Sequence, residues 1–386
     1  MSGGVDSSMA AALLKQQGYD VHGVFMKEWN PPGIECASGD DRAMAARVAA
    51  RLKIPFAVWD FRREYKKSVA DYMLREYKAG RTPNPDVICN RDIKFGIFLK
   101  EALKQGADFI ATGHYVKLVT GNQKGVNTKK ENQLPITNYQ LRIARDPNKD
   151  QSYFLWTLTQ KELQYCLFPI GDYEKPQVRE LAKKFGLPSW NKKDSQGICF
   201  VGKLNFGKFL RKYLPRKKGK IITTEGKEIG THDGVWFYTI GQRHGVIGQM
   251  ANSRWQTAGD MKPVYVAEKD VATNTIVVGG ENDPKLYRSE AVVINLNWIS
   301  GKSPKLPLTC KARIRYRQPL QEARILKQET RNLKLGSKGR TRIPNPKLQA
   351  PSFKIRFAVF QRAVTPGQSI VFYKGQEMLG GGVIDK

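Results

Sequence analysis

Up to about residue 116 the chain alternates short apolar runs with helix-length amphipathic spans. That alternation restricts the fold more than any other feature, because strands spaced by helices pair in parallel. Ser7 to Gln17 reads as a helix with Gly18 placed to end it, and Val21-His22-Gly23-Val24-Phe25-Met26 follows as a strand. Asp40 and Asp41 can cap a helix running to Leu52, since carboxylates satisfy the orphan amides of a helix start. Phe56 to Trp59 is a second strand, Arg62 to Lys78 an amphipathic helix, Asp92 to Gln105 a further helix closed by Gly106, and Phe109 to Thr112 a third strand. The expected fold class is α/β, a doubly wound parallel sheet with ligands at the carboxyl ends of its strands. Residues 120 to 138 are polar and rich in Lys and Asn, an exposed loop insertion, and helices are expected near Thr159 to Tyr165 and Lys175 to Phe185. Past about residue 204 the pattern changes to short β-branched runs between turn residues, such as Val264 to Ala267, Thr275 to Val278 and Ser369 to Tyr373, with a glycine run at Gly380, Gly381 and Gly382. The expected division is 1–203 as the α/β unit, 204–280 as a small central β-rich domain and 281–386 as a C-terminal β-barrel-like domain.

Charge narrows the partner. Of 386 residues, 65 are Lys or Arg and 35 Asp or Glu, leaving a formal charge of +30. A surface of that sign attracts phosphates at long range, so a nucleic acid is the favoured partner, ahead of an anionic membrane surface or an organelle with basic proteins. No apolar run approaches the ~18 residues of a membrane span. Residues 203 to 220 carry Lys203, Lys208, Arg211, Lys212, Arg216, Lys217, Lys218 and Lys220 without an acid, and Tyr213 offers a stacking face. Residues 311 to 342 form a second basic stretch with Tyr316, overlapped by a segment, 324 to 350, that reads as a disordered insertion. Cys36, Cys89, Cys166, Cys199 and Cys310 are odd in number and form no CxxC pair, so neither a zinc ribbon nor a disulfide framework is indicated, and no metal site is expected.

Three motifs carry chemistry. Ser2-Gly3-Gly4-Val5-Asp6-Ser7-Ser8 runs straight into a helix, where glycines permit a tight turn and free amides with serine hydroxyls bind an anion. No GxxxxGK[ST] is present, which excludes a Walker-type loop. Thr82-Pro83-Asn84-Pro85-Asp86-Val87-Ile88-Cys89-Asn90 is stiffened by two prolines and is expected to stay extended until a helix restarts near Arg91. It presents a carboxylate that can move a proton and a thiol that can attack an electrophile, although a stiff connection with a buried cysteine would read the same way. Asp194-Ser195-Gln196-Gly197-Ile198-Cys199-Phe200 places a second thiol after a glycine, a pattern that a core cysteine also produces.

The opening heptad resembles the signature of the ATP pyrophosphatase (PP-loop) superfamily, and the whole chain resembles its tRNA-specific 2-thiouridylase family. The resemblance rests on the heptad, Gly23 to Lys27, Ala79 to Phe95, Ala111 to Tyr115, Asn148 to Phe154, Gly197 to Phe200, Thr239 to Arg243, Arg315 to Gln318 and Thr365 to Gln368. It implies an enzyme that uses ATP with Mg2+ to adenylate O2 of the wobble uridine and replaces that oxygen with sulfur. By resemblance, Ser2, Gly3, Gly4, Val5, Asp6, Ser7 and Ser8 hold ATP with Met26 and Gly113. Cys199 carries a persulfide, and Cys89 either resolves it by forming a disulfide or assists release of sulfide. Asp86 is the acid/base. Asn84, Pro85 and Asp86 meet the extruded base, and His114, Lys149, Asp150, Gln151, Arg315, Tyr316 and Gln368 match positions that touch tRNA. An upstream sulfur-donor protein and a monomeric chain are expected. The family has an apolar strand leading into the heptad, which is expected to be missing here through a late start or a truncation. Gln196 stands where the family often has Thr. The charge and Lys-rich insertions favour a mitochondrial location in a eukaryote, with a cytoplasmic location otherwise. The rival readings are a different PP-loop ligase and a non-catalytic tRNA-binding relative.

Overall fold

The computed structural model describes residues 1–31, 38–120, 138–193, 206–243, 263–327 and 351–385. The α/β unit opens with α1 (Val5–Gln16), whose run from Met9 to Leu14 is buried on every side and packs with α2 (Ser38–Leu52) and α8 (Lys175–Lys184). Gly18, at φ +87°, ends α1 as expected, with the Gly18 and Tyr19 amides donating back to the Lys15 and Leu14 carbonyls. Strand β1 (Gly23–Lys27) pairs in parallel with β2 (Phe56–Asp60), and β3 (Ile110–Ala111) pairs in parallel with β6 (Cys166–Leu167). The parallel strands thus form two separate two-stranded pairs among the described residues rather than one continuous sheet.

Two helical rods cross this unit. One is α3 (Arg62–Tyr65), a π-helical stretch Lys66–Ala70 and α4 (Asp71–Lys78). The other is α5 (Pro85–Ile88), a π-helical stretch Cys89–Phe98 and α6 (Leu99–Lys104). The second rod corrects an expectation. The Thr82–Asn90 motif does not stay extended to Arg91, because helix begins at Pro85. Proline suits the first helical position, where its fixed φ is already helical and its missing N–H would have had no partner. Asn84 caps the turn by accepting from the Val87 amide at 3.4 Å.

The antiparallel pair β4 (Lys117–Thr120) and β5 (Tyr139–Arg142) leaves the α/β unit, and β5 pairs with a strand of the C-terminal barrel. The insertion expected at 120–138 lies between these strands, with 121–137 outside the described residues. A short α7 (Gln160–Leu163) follows, closed by a capping box between Thr159 and Glu162.

In the central domain α9 (Phe206–Tyr213) precedes a four-stranded sheet ordered β8 (Glu228–His232), β7 (Gly219–Thr223), β10 (Thr275–Gly280), β9 (Val264–Asp270). Phe209, Leu210 and Leu214 pack with Tyr65, Val69 and Met73 of the first rod, while Lys208, Arg211, Lys212, Arg216, Lys217 and Lys218 stay exposed. Tyr213 is half-buried against Phe209 and Trp29 rather than standing open as a stacking face.

Six strands close the C-terminal barrel: β11 (Tyr287–Trp298), β14 (Phe353–Arg362), β13 (Gln321–Lys327), β12 (Leu308–Arg313), β15 (Ser369–Lys374) and β16 (Glu377–Ile384), which pairs back to β11. Closure explains the glycine run. A Cβ on Gly380 would stand 2.0 Å from the Asn297 carbonyl oxygen, and one on Gly382 2.5 Å from Val293. Arg324 to Lys327 belong to β13, so the segment expected to be disordered from 324 begins as a paired strand; 328–350 lies outside the described residues.

The barrel is fastened to the α/β unit by a buried polar network. Asp150 is only 1% exposed and accepts from the Ala144 and Ser152 amides, the Ser152 hydroxyl and Arg313 Nη1 at 3.3 Å. Tyr153 donates to the Ser369 carbonyl and Trp156 to the Ser369 hydroxyl. Removing one partner of a buried ion pair strands the other charge, at a cost of about 3–5 kcal/mol. Arg313→Met is therefore expected to lower the unfolding free energy measured by urea titration by that order, and Asp150→Leu in the same chain should recover part of the loss.

Candidate functional site

At the nucleotide end, Gly3 turns at φ +74° and Gly4 caps α1, leaving the first-turn amides of Val5, Asp6 and Ser7 as donors without intrahelical partners. Ser2 and Ser7 hydroxyls lie 3.1 Å apart, and Ser8 donates to the Gly4 carbonyl at 2.8 Å. Gly113 lies directly against this loop: a Cβ there would stand 2.6 Å from the Ser7 nitrogen. The structure thus brings the heptad against Gly113, just past β3, whereas Met26, near the carboxyl end of β1, packs against the cluster that holds Tyr65 and Cys89. Asp6 is held by two groups that sequence reading missed. Lys175 Nζ reaches both its carboxylate oxygens at 2.7 and 2.8 Å, and the Tyr115 hydroxyl donates to one at 2.9 Å. The loop's only acidic side chain is neutralised, and the helix-start amides are left to meet an anion. That donor set fits the phosphates of ATP. Among the described residues no cluster of His, Cys, Asp or Glu could hold a metal ion.

The second rod carries the reactive groups. Asp86 lies in α5 and Cys89, 2% exposed, begins the π-helical stretch, packed with Ile88 and Ile93 against the central domain. Val87, Phe95 and Leu99 on the other side pack against the barrel. Burial pushes the Asp86 carboxyl above the usual carboxylate range, with Lys94 pulling it part of the way back. Glu28, just past β1, is likewise raised by burial, lowered by Lys94 and raised by Asp86 and Asp41. His114 is 6% exposed, and burial followed by Lys94 holds it well below the ordinary histidine range. Its Nδ1 lies 2.8 Å from the Thr112 hydroxyl, and its ring touches Phe95 and Phe168. Lys94, which sequence reading also missed, thus connects the ends of β1 and β3 with α5. Its position five residues after Cys89 follows the wider π-helical register, which a search for 3.6-residue periodicity does not register.

A seam forms above this rod. Gln368 Nε2 donates to the Thr82 and Pro83 carbonyls at 2.9 and 3.1 Å, the Thr82 amide donates to the Pro366 carbonyl at 2.9 Å, and the Thr82 and Thr239 hydroxyls lie 3.2 Å apart. Arg315 Nη2 donates to the carbonyls of Ile240 and Ala363 and to the Thr365 hydroxyl. Tyr316 packs on Phe154 at 4.6 Å, with Arg317 over its other side at 5.1 Å. Segments distant in sequence, Thr239–Gln242, Arg315–Gln318 and Thr365–Gln368, therefore converge on the lead-in to Asp86 and Cys89.

Of the expected tRNA positions, Asn84, Arg315, Tyr316 and Gln368 meet at this seam, with Pro85 buried at the helix start. Gln151 exchanges bonds with the Tyr115 backbone, Lys149 is half-buried, and Asp150 serves the internal network described above. Cys199 and Gln196 lie outside the described residues.

An α/β unit with a Gly/Ser loop opening a buried helix, roofed by two β domains, defines a nucleotide-binding protein of the PP-loop kind. Three family models match: the tRNA methyl transferase HUP domain over residues 1–203, the tRNA methyl transferase PRC-barrel domain over 207–280, and the aminomethyltransferase beta-barrel domain over 288–341 and 345–384. The chain is 42% identical over 391 residues to the tRNA-specific 2-thiouridylase MnmA of Streptococcus thermophilus (strain CNRZ 1066), covering all of this chain and 94% of that protein. It is 43% identical to MnmA 2 of Geobacillus kaustophilus (strain HTA426) and to MnmA of Pseudomonas fluorescens (strain Pf0-1), in each case over all of this chain and 93% of the relative. The chain belongs to the tRNA-specific 2-thiouridylase family. These relatives are bacterial and give no support to a mitochondrial location; no helix among the described residues is long and apolar enough to cross a membrane.

Two outcomes follow from this geometry. Lys175→Met leaves the Asp6 carboxylate uncompensated beside the phosphate-binding amides and is expected to weaken ATP binding by about tenfold, the scale of one charge-assisted hydrogen bond, by calorimetric titration. Lys94→Met removes the cation that lowers Asp86, so the acidic limb of the pH–rate profile should move to higher pH.

Proposed function

We propose that the chain catalyses ATP-dependent 2-thiolation of the wobble uridine of tRNA. ATP enters with its Mg2+, its phosphates on the α1 amides. The O2 of the extruded uracil attacks the α-phosphorus, pyrophosphate leaves, and Asp86 takes the N3 proton. A carboxyl raised by burial suits that exchange near neutral pH. The terminal sulfur of a persulfide on Cys199, loaded by a donor protein, then attacks C2 and displaces AMP. Cys89 attacks the Cys199 sulfur, forming a disulfide between the two and leaving sulfur on C2; a thiol reductant restores the pair.

The observation that carries this reading is the convergence of both β domains on Thr82 and Pro83. It makes the geometry of Asp86 and Cys89 depend on the parts of the chain expected to hold tRNA. The base must leave its stack to present its Watson–Crick edge, and the half-buried Asn84 and Asp86 suit an extruded base. Family membership and the PP-loop support the same chemistry.

The test incubates the chain with ATP, Mg2+, a persulfide donor and an unmodified tRNA transcript, and measures 2-thiouridine by nucleoside mass spectrometry. Asp86→Asn should lower the rate by about 10²–10⁴-fold, the usual worth of a general acid/base, and Cys89→Ser and Cys199→Ser should abolish product. If wild type and Cys89→Ser turned over ATP to AMP alike and neither formed 2-thiouridine, a different PP-loop ligase would be indicated. Salt-sensitive tRNA binding without AMP would indicate a binding protein.

A further inference from the structure

Arg362, the last residue of β14, is poorly explained as part of the fold alone. Its guanidinium lies 4.3 Å over the ring of Tyr265 in β9, across the boundary between the two β domains. Its Nε and Nη2 are buried and have no hydrogen-bond partner among the described residues. A second guanidinium stands close by: burial lowers the pKa of Arg315, and the charge of Arg362 lowers it further, with Tyr153 opposing. Neither arginine is ion-paired with a carboxylate among the described residues.

Leaving buried donors without acceptors is unfavourable, and setting a like charge beside them adds to the cost. A fold retains such an arrangement where an anion supplies what is missing. A guanidinium presents paired N–H groups that match two phosphate oxygens, and stacking on an aromatic ring fixes the plane of that fork before the anion arrives. Ala363, at φ +56°, turns the chain from Arg362 into Thr365–Gln368, so the two guanidiniums sit one short link from the Thr82–Pro83 lead-in.

We propose that Arg362, seated on Tyr265 beside Arg315, forms a cradle at the seam of the two β domains that takes one backbone phosphate of bound tRNA. The proposal rests on the tRNA substrate of the preceding section and adds a site outside the motifs read from sequence. A phosphate contact carries no base information, so it registers the tRNA on the protein rather than selecting its sequence.

The test measures binding of an unmodified tRNA transcript to the full chain across a KCl series, for wild type, Arg362→Gln and Arg362→Lys, with melting temperatures in parallel. Arg362→Gln should weaken binding about fivefold to tenfold for every tRNA tried and reduce the slope of log affinity against log salt by about one. Its melting temperature should hold or rise, because a charge facing Arg315 is gone, and its ATP affinity should not change. Arg362→Lys should keep much of the slope. An unchanged slope with a lower melting temperature would overturn the cradle and make Arg362 a staple between domains. Stabilisation of wild type but not Arg362→Gln by inorganic phosphate, with tRNA affinity and slope unchanged, would overturn tRNA as the anion's source. If wild type itself shows no salt-dependent tRNA binding, both this proposal and the tRNA reading fall. A normal wild-type slope that survives in Arg362→Gln defeats the cradle alone.

Discussion

The carbonyls of Thr82 and Pro83 accept the two protons of the Gln368 amide, and much of the molecule's organisation depends on that contact. Pro83 and Pro85 lack amide protons, so this stretch cannot enter a sheet and its carbonyls must find donors elsewhere. The barrel supplies them through Gln368, returns a bond from Thr82 to Pro366, and the central domain adds the Thr239 hydroxyl. The start of α5 is therefore fixed from outside its own domain. Gly367 is required for the fit, since a Cβ there would stand 2.9 Å from both the nitrogen and the oxygen of Thr82.

Charges are handled differently at the two ends of the site. Beside the nucleotide loop, acid and base are matched: Asp6 is held by Lys175 and Tyr115, which fixes the first turn of α1. Around the rod, burial raises the Glu28 and Asp86 carboxyls while Lys94 opposes the rise at both, and burial with Lys94 holds His114 neutral. A neutral His114 is a liability in acid. Because its folded pKa lies below the unfolded value of about 6.5, its contribution to stability is present above that pH and is lost as pH falls below it. At the seam, by contrast, the charge of Arg362 lowers the pKa of Arg315, and neither is ion-paired with a carboxylate among the described residues. Matched charge accompanies rigid geometry, and unmatched positive charge lies where a polyanion would approach.

Much of the α/β unit was legible because its signals are local. Gly18 ends α1, Phe56 begins β2, Thr159 caps α7 and Lys175 opens α8, close to where turn and capping chemistry put them. The errors arise where tertiary context decides. Two prolines suggested extended backbone, but Pro85 at the first helical position starts a helix capped by Asn84. Tyr213 was read as a stacking face and Asp150, by resemblance, as a position that touches tRNA; packing against Trp29 half-buries the first and the network with Arg313 buries the second. The addition of β4 and β5 to the barrel sheet links residues far apart in sequence, which no local pattern encodes. Site residues were legible only as motifs. Their meeting at one seam, and the parts played by Lys94, Lys175 and Arg362, required the fold.

The π-helical stretch gives the rod its chemical face. In an α-helix, residues five apart point about 140° away from each other, at 3.6 residues per turn. Cys89 and Lys94 would then look in different directions, and the ammonium could not act on Asp86, one turn before Cys89, and on His114 at the end of β3. Bonding from residue i to i+5 widens the helix and sets the fifth residue nearly above the first. The run Cys89–Phe98 is wound in this way, and Lys94 influences Asp86, Glu28 and His114 at once. A wide helix is less well packed than an α-helix and survives where its surroundings hold it. Here the central domain packs on Cys89 and Ile93 while the barrel packs on Val87, Phe95 and Leu99. The domains that form the seam therefore also hold the register that places a cation beside the acid, so the charge environment of Asp86 depends on packing contributed by both β domains.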